Sequence, residues 1–224
     1  MRLKVFLAAV AVTVGGSLIP ANPAAADVGV NIIGGGTVSS APWAAAVFRS
    51  GSFTCSGTII AAQWVLTARH CTSSSMQVRV GSVNRTSGGV VANVLSFSAQ
   101  NDLAVLRLDR SINTTFMRLG STNPPVGSTN NIYGWGMTCF SGCGASTVLK
   151  TATVRVIGST TDAFGGPAIA STRINGNAWR GDSGGPQTYQ GLQVGVASTA
   201  DGVSRQNYGS VPANRAWIRS VTGV

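Results

Sequence analysis

The sequence predicts an all-β fold, a barrel or sandwich of short strands with one C-terminal helix. Three observations carry this. Short apolar or alternating segments recur at Met76–Val80, Leu103–Leu108, Thr153–Ile157 and Leu192–Val196. Turn-forming clusters separate them, at Ser87-Gly88-Gly89, Ser121 to Gly127 and Gly165-Gly166-Pro167, the punctuation expected of a sandwich or barrel. Apolar residues make up 44% of the 224, charged residues only 10%, and 29 are glycine. That is too apolar for a disordered chain and too aperiodic for collagen. Neither heptads nor solenoid-length repeats occur, so coiled coils and repeat arrays are excluded.

The first 26 residues read as an export signal. Arg2 and Lys4 precede the apolar run Val5–Val14, and small residues end at Ala24-Ala25-Ala26, the order of a secretory signal with an A-x-A cleavage site. The competing reading is a membrane helix. The run is about half of the ~20 residues a span needs, and Gly15-Gly16 and Pro20 break the chain just beyond it. Cleavage after Ala26 predicts a secreted, extracellular chain without a membrane span, its cysteines in an oxidising compartment.

Four cysteines allow three pairings. Cys55 and Cys71 flank Thr58–Ala68, an apolar stretch able to run out and back as a hairpin, and Cys139 and Cys143 are close enough to staple one loop. The pairing 55–71 with 139–143 is therefore expected over a metal site, which would lack the C-x2-C spacing. Met76–Val80 alternates apolar and polar residues, as a half-buried strand should. Leu103–Leu108 reads as a buried strand, and Thr153–Ile157 and Leu192–Val196 as two more. The proline-rich stretch Ser121–Ser128 is the expected linker between two halves. After Pro212, the spacing of Trp217, Ile218 and Val221 predicts a helix over about 212–222, stopped by Gly223.

Charge narrows the chemistry. There are 16 basic residues, six aspartates and no glutamate, for a net charge of +10, with a single histidine, His70. One histidine excludes a multi-histidine zinc site, and so few carboxylates leave little for a calcium or magnesium cage. No metal and no cofactor are expected. Without Arg2, Lys4 and Asp27 the remaining chain carries 14 basic and 5 acidic side chains, net +9. That is either a solvated exterior or a surface for anionic polymers. No basic run interleaved with aromatics points to nucleic acid.

The most informative segment is Gly181-Asp182-Ser183-Gly184-Gly185-Pro186. A serine hydroxyl attacks only when a base removes its proton and donors stabilise the oxyanion. Glycines around it let the backbone turn so that N–H groups converge. His70 must be the base, since no other histidine exists. Asp102, at the mouth of the Leu103–Leu108 strand, is the carboxylate to orient the imidazole; Asp109, at the far end among charged residues, is the weaker candidate. The base acts as neutral imidazole, so acylation should rise through roughly pH 6–8.

These pieces resemble the trypsin/chymotrypsin-like serine proteases, of a short secreted bacterial type. The matching segments are Ile32-Ile33-Gly34-Gly35, Thr67-Ala68-Arg69-His70-Cys71, Asn101-Asp102-Leu103-Ala104-Val105-Leu106, Gly134-Trp135-Gly136 and Gly181–Pro186, in the family's order. The resemblance implies two packed six-stranded antiparallel β-barrels with a C-terminal helix, over about 32–120, 128–210 and 212–222. It also implies a catalytic triad of His70, Asp102 and Ser183, with the Gly181 and Ser183 N–H groups as oxyanion hole. A 55–71 disulfide is common in the family. Arg69 and Trp179 depart from it: many members have a small residue and a cysteine there.

The resemblance also places a specificity pocket at Asn177, Ala178, Arg180, Ser198, Thr199 and Ala200. Trypsin-like members carry an aspartate where this chain has Asn177, and an amide does not repay the desolvation of a cation as a carboxylate would. Non-tryptic cleavage after small or medium neutral residues is expected. The alternative is an acidic preference, which Arg180 near the pocket mouth and Arg205 would support. In the family, a cut before the Ile-Ile-Gly-Gly segment frees an amine that pairs with the aspartate preceding the nucleophile. Here that is Ile32 with Asp182, after removal of a pro-segment 27–31 by a protease able to cut after Asn31. Polypeptide substrates, proteinaceous inhibitors and a monomeric state follow from the resemblance. The alternative from another class is a non-catalytic protease-fold module binding anionic polymers.

Overall fold

The computed structural model describes Met1 and residues 32–224; the expected leader beyond Met1 and the pro-segment lie outside the described residues. Two short strands, β1 (Ile33–Gly34) and β2 (Gly36–Thr37), precede the first barrel. That barrel is built from β3 (Ala44–Arg49), β4 (Ser52–Ala61), β5 (Trp64–Ala68), β6 (Met76–Val80), β7 (Val90–Gln100) and β8 (Leu103–Leu108), closed in the order β3-β4-β5-β8-β7-β6 with antiparallel neighbours. The alternation read from the sequence is the reason. Met76, Val78 and Val80 turn inward while Gln77 faces out, as the period of two requires. Leu103–Leu108 is buried nearly throughout because the C-terminal helix covers its outer side: Ile218 joins Leu103, Leu106 and Leu108 in one apolar cluster.

The second barrel comprises β9 (Thr129–Gly134), β10 (Lys150–Thr161), β11 (Pro167–Arg173), β13 (Pro186–Tyr189), β14 (Leu192–Ala200) and β15 (Arg205–Ser210). The order β11-β15-β14-β13-β9-β10 returns on itself through the β10–β11 pairing. Two closed six-stranded antiparallel barrels are thus present. The short β12 (Gly176–Asn177) pairs with β1, Ile33 opposite Asn177, and β2 extends β10. The chain therefore runs along the second sheet before entering the first barrel, and this carries Ile32 into the second barrel's core beside Ala178, Ala197 and Tyr208.

Pro212–Asn214 form a 3-10 turn leading into α1 (Arg215–Thr222), and Gly223 ends it at φ 82°, where its N–H donates to the Arg219 carbonyl. Glycine is suited to that left-handed cap. Both expected disulfides are present, Cys55–Cys71 and Cys139–Cys143. No helix among the described residues is long and apolar enough to cross a membrane.

Candidate active site

His70 is held from several sides. It sits in a 3-10 turn, Arg69–Cys71, at the end of β5, and the Cys55–Cys71 disulfide ties that turn to β4. Arg49 grips it from outside, donating to the Cys71 carbonyl at 2.9 Å and the His70 carbonyl at 2.6 Å. Asp102 lies in the two-residue turn joining β7 to β8. Asn101 before it adopts φ 54°, a left-handed conformation that asparagine tolerates. The turn aims the Asp102 carboxylate at His70, whose Nδ1 is 2.9 and 3.0 Å from its two oxygens. The His70 main-chain N–H adds a 3.1 Å hydrogen bond. Asp109 instead pairs with Arg110 at the surface, which keeps its carboxyl low, at about 2.

Ser183 comes from the other barrel. Its turn follows β12, with Gly181 at φ 97° and Gly184 at φ 80°. A side chain at Gly184 would meet Thr67 Oγ1 and the Ser56 carbonyl, so the turn lies directly against the strand leading to His70. Ser56 completes the join: its N–H donates to the Ser183 carbonyl at 2.8 Å and its hydroxyl to the Gly181 carbonyl at 3.0 Å. Neither the Gly181 nor the Ser183 N–H has an acceptor among the described residues. Ser183 Oγ makes no hydrogen bond to His70 there; such bonds are often long before substrate binds. The sulfurs beside His70 are joined in the disulfide, so they are not thiolate ligands.

A cavity of about 250 Å³ opens beside Ser183, lined by Ala178, Trp179, Arg180, Asp182, Ala197, Ser198, Thr199, Ala200 and Tyr208. Five of the six expected pocket residues are among them. Asn177 is not among them; it is fully buried, its Nδ2 donating to the carbonyl of the lining residue Ala178 at 2.8 Å. Gln206 holds the same peptide from the other side, its Oε1 accepting the Ala178 N–H at 2.7 Å. Ser198 lines the cavity and also donates to Asp102 Oδ2 at 2.6 Å.

Asp182 is buried, its carboxylate accepting N–H groups from Gly136 at 2.7 Å and Trp179 at 2.9 Å. Gly134 and Gly136 press against it so closely that a side chain at either would overlap it. No cation among the described residues pairs with it, and burial pushes its carboxyl up to about 7. Burial and the Asp182 charge also raise the Tyr208 hydroxyl. Ile32 is fully buried in the same core cluster as the lining residues Ala178 and Tyr208, but no Ile32–Asp182 ion pair is present among the described residues. Ser56, Asp162, Gln206 and Tyr208 escaped the sequence reading. Ser56, Asp162 and Gln206 meet the site in turns and loops distant in sequence, and no local pattern marks any of the four.

The family model described as Trypsin matches residues 32–218. Trypsin delta of Drosophila erecta is 34% identical over 254 aligned positions, covering 97% of this chain and 98% of that protein. Trypsin alpha-4 of Lucilia cuprina is 33% identical over 217, covering 84% and 85%. Among solved structures, neuropsin, a serine protease expressed in the limbic system of mouse brain, superposes with a TM-score of 0.71 at 24% identity, over 80% of this chain and 94% of that one. The last likeness speaks for the fold alone. The fly relatives do not support the expected bacterial type.

Proposed function

Because the chain belongs to the trypsin family, we propose that it is a secreted serine endopeptidase working through an acyl-enzyme. The observation that carries this is the His70–Asp102 contact at 2.9 Å with the Ser183 turn lodged against Thr67. Ser183 Oγ attacks the peptide carbonyl while His70 Nε2 takes its proton. Asp102 holds the imidazole in the tautomer that leaves Nε2 free and stabilises its protonated form. The unengaged N–H groups of Gly181 and Ser183 bind the oxyanion that forms on the carbonyl. His70 then gives the proton to the leaving amine, and water repeats the sequence on the ester.

Side-chain preference follows from the cavity. Its one lining carboxylate, Asp182, is buried and held by the Gly136 and Trp179 N–H groups rather than offered to a substrate cation. Asn177, an amide where trypsin-like members have a carboxylate, carries no charge to meet a substrate cation. Thr199 and Ala200 line its wall. The enzyme is therefore read as non-tryptic, cleaving after small or medium neutral residues. Residues 1–26 are its signal and 27–31 its pro-segment. A cut between Asn31 and Ile32 supplies the amine that Asp182 needs, since a buried carboxylate without a cation is costly. It acts as a monomer on polypeptides and is open to proteinaceous inhibitors.

An organophosphorus serine reagent tests the reading. The processed protein should be labelled at Ser183, and His70→Ala should abolish labelling. Processed protein that stays unlabelled would leave the non-catalytic polymer-binding module, which no specific observation favours. A peptide panel tests the preference: fast cleavage after Arg or Lys would overturn it.

A further inference from the structure

The hairpin joining β10 to β11 does more than reverse the chain. Asp162 closes it: Oδ1 accepts the N–H groups of Phe164 at 2.9 Å and Gly166 at 2.8 Å, and the Asp162 N–H donates to the Gly166 carbonyl at 2.8 Å. Closure of the turn accounts for these bonds and for nothing further. Yet Asp162 Oδ2 reaches across the barrel interface and accepts the Asp102 N–H at 3.0 Å, 60 residues away. Asp102 stands in a turn, where its N–H has no ladder partner, and a buried donor needs an acceptor.

Three more contacts from the same loop end on the same neighbourhood. The Ala163 N–H donates to Ser198 Oγ at 3.0 Å, whose own hydroxyl donates to Asp102. Gly166 lies against the Asn101 side chain, with no room for a Cβ. The Arg69 guanidinium sits 4.4 Å above the Phe164 ring, although both side chains are exposed. Arg69, the departure from the family's small residue, thus has a partner in this loop. A guanidinium over an aromatic face is attracted by the ring quadrupole.

We propose that the Asp162–Gly166 loop positions the His70–Asp102 pair, with Asp162 holding the Asp102 main chain and Phe164 holding the His70 turn through Arg69. The inference rests on the protease reading. Asp162, Phe164 and Arg69 are positioning residues; none is required to touch substrate. The loop belongs to the barrel that supplies Ser183, and its targets to the barrel that supplies His70 and Asp102. It therefore fixes the base relative to the nucleophile.

The test is kinetic. In Asp162→Asn, the loop's two N–H groups claim the amide oxygen, leaving the NH2 group facing the Asp102 N–H, donor against donor. A displacement of about 1 Å at a catalytic group can cost up to ~100-fold, so kcat should fall by roughly 10- to 100-fold with KM unchanged. Phe164→Ala and Arg69→Ala should each lower kcat about 3- to 10-fold, and Arg69→Lys should recover part of that, since an ammonium retains some cation–π attraction. Activity is expressed per site titrated by the organophosphorus reagent, so unfolded protein does not count. Wild-type kcat per titrated site, with only a lowered Tm, would overturn the proposal, as would equal effects of Arg69→Lys and Arg69→Ala. If Asp162→Asn does not fold, the two exposed positions decide. An unaltered processed enzyme that neither labels nor turns over would remove the protease reading, and this inference with it.

Discussion

Ser198 Oγ donates a 2.6 Å hydrogen bond to Asp102 Oδ2 across 96 residues of sequence, joining a strand of the second barrel to the β7–β8 turn of the first. The Asp102 carboxylate is thereby fully enclosed, with His70 on one side and Ser198 on the other. A hydrogen bond to a charged group is worth about 1.5–3 kcal/mol. The His70 contacts remain when Ser198 is truncated, so Ser198→Ala should lower kcat by only about tenfold, with KM nearly unchanged. Steady-state kinetics on a neutral peptide substrate check this.

Removing the base or the nucleophile should be far more severe. His70→Ala and Ser183→Ala should each cost ~10⁴-fold or more in kcat, and the double variant little beyond either, because these groups act as one unit. Additive losses would show that they do not.

Asp182 makes the uncut chain sensitive to pH. Its carboxyl titrates near 7 when folded, against an ordinary value of 3.8. Between those values the folded state binds more protons than the unfolded one, so stability falls as pH rises from about 4 to about 7. Urea unfolding of the Asn31–Ile32-intact chain at pH 4.5 and pH 8 should show the loss, and Asp182→Asn should flatten it. After the cut, the Ile32 amine should remove the slope as well.

Processing itself has a direct readout. N-terminal sequencing of the active form should give Ile-Ile-Gly-Gly, and trypsin should not activate the precursor, because Asn31 precedes the bond. Full activity in a protein still beginning at Asp27 would refute the amine–Asp182 switch.

Gly184→Ala tests the join between the barrels. The residue is held at φ 80°, where a side chain is strained, and its Cβ would collide with Thr67 Oγ1 and the Ser56 carbonyl. Strain of this kind costs roughly 1–3 kcal/mol before the collision is counted. A Tm lowered by several degrees and loss of Ser183 labelling are expected, where a mere surface turn would keep the labelling.

Much of this molecule is written locally. Alternation in Met76–Val80 dictates a half-buried strand, and Gly223 can end a helix without help from the rest of the fold. The short spacing of Cys139 and Cys143 makes their bond a local matter. His70 and Ser183 were legible because their chemistry needs rare local company, a lone histidine and a glycine-flanked serine. What the tertiary structure alone decided are the relationships between barrels. Ser198 faces Asp102 as well as the cavity, and Asp162 reaches the Asp102 N–H. Each depends on which strands close against which, and on buried polar groups finding partners there. A hydrogen-bond partner 60 or 96 residues distant leaves no periodicity in the chain, so it becomes visible only when both barrels have closed.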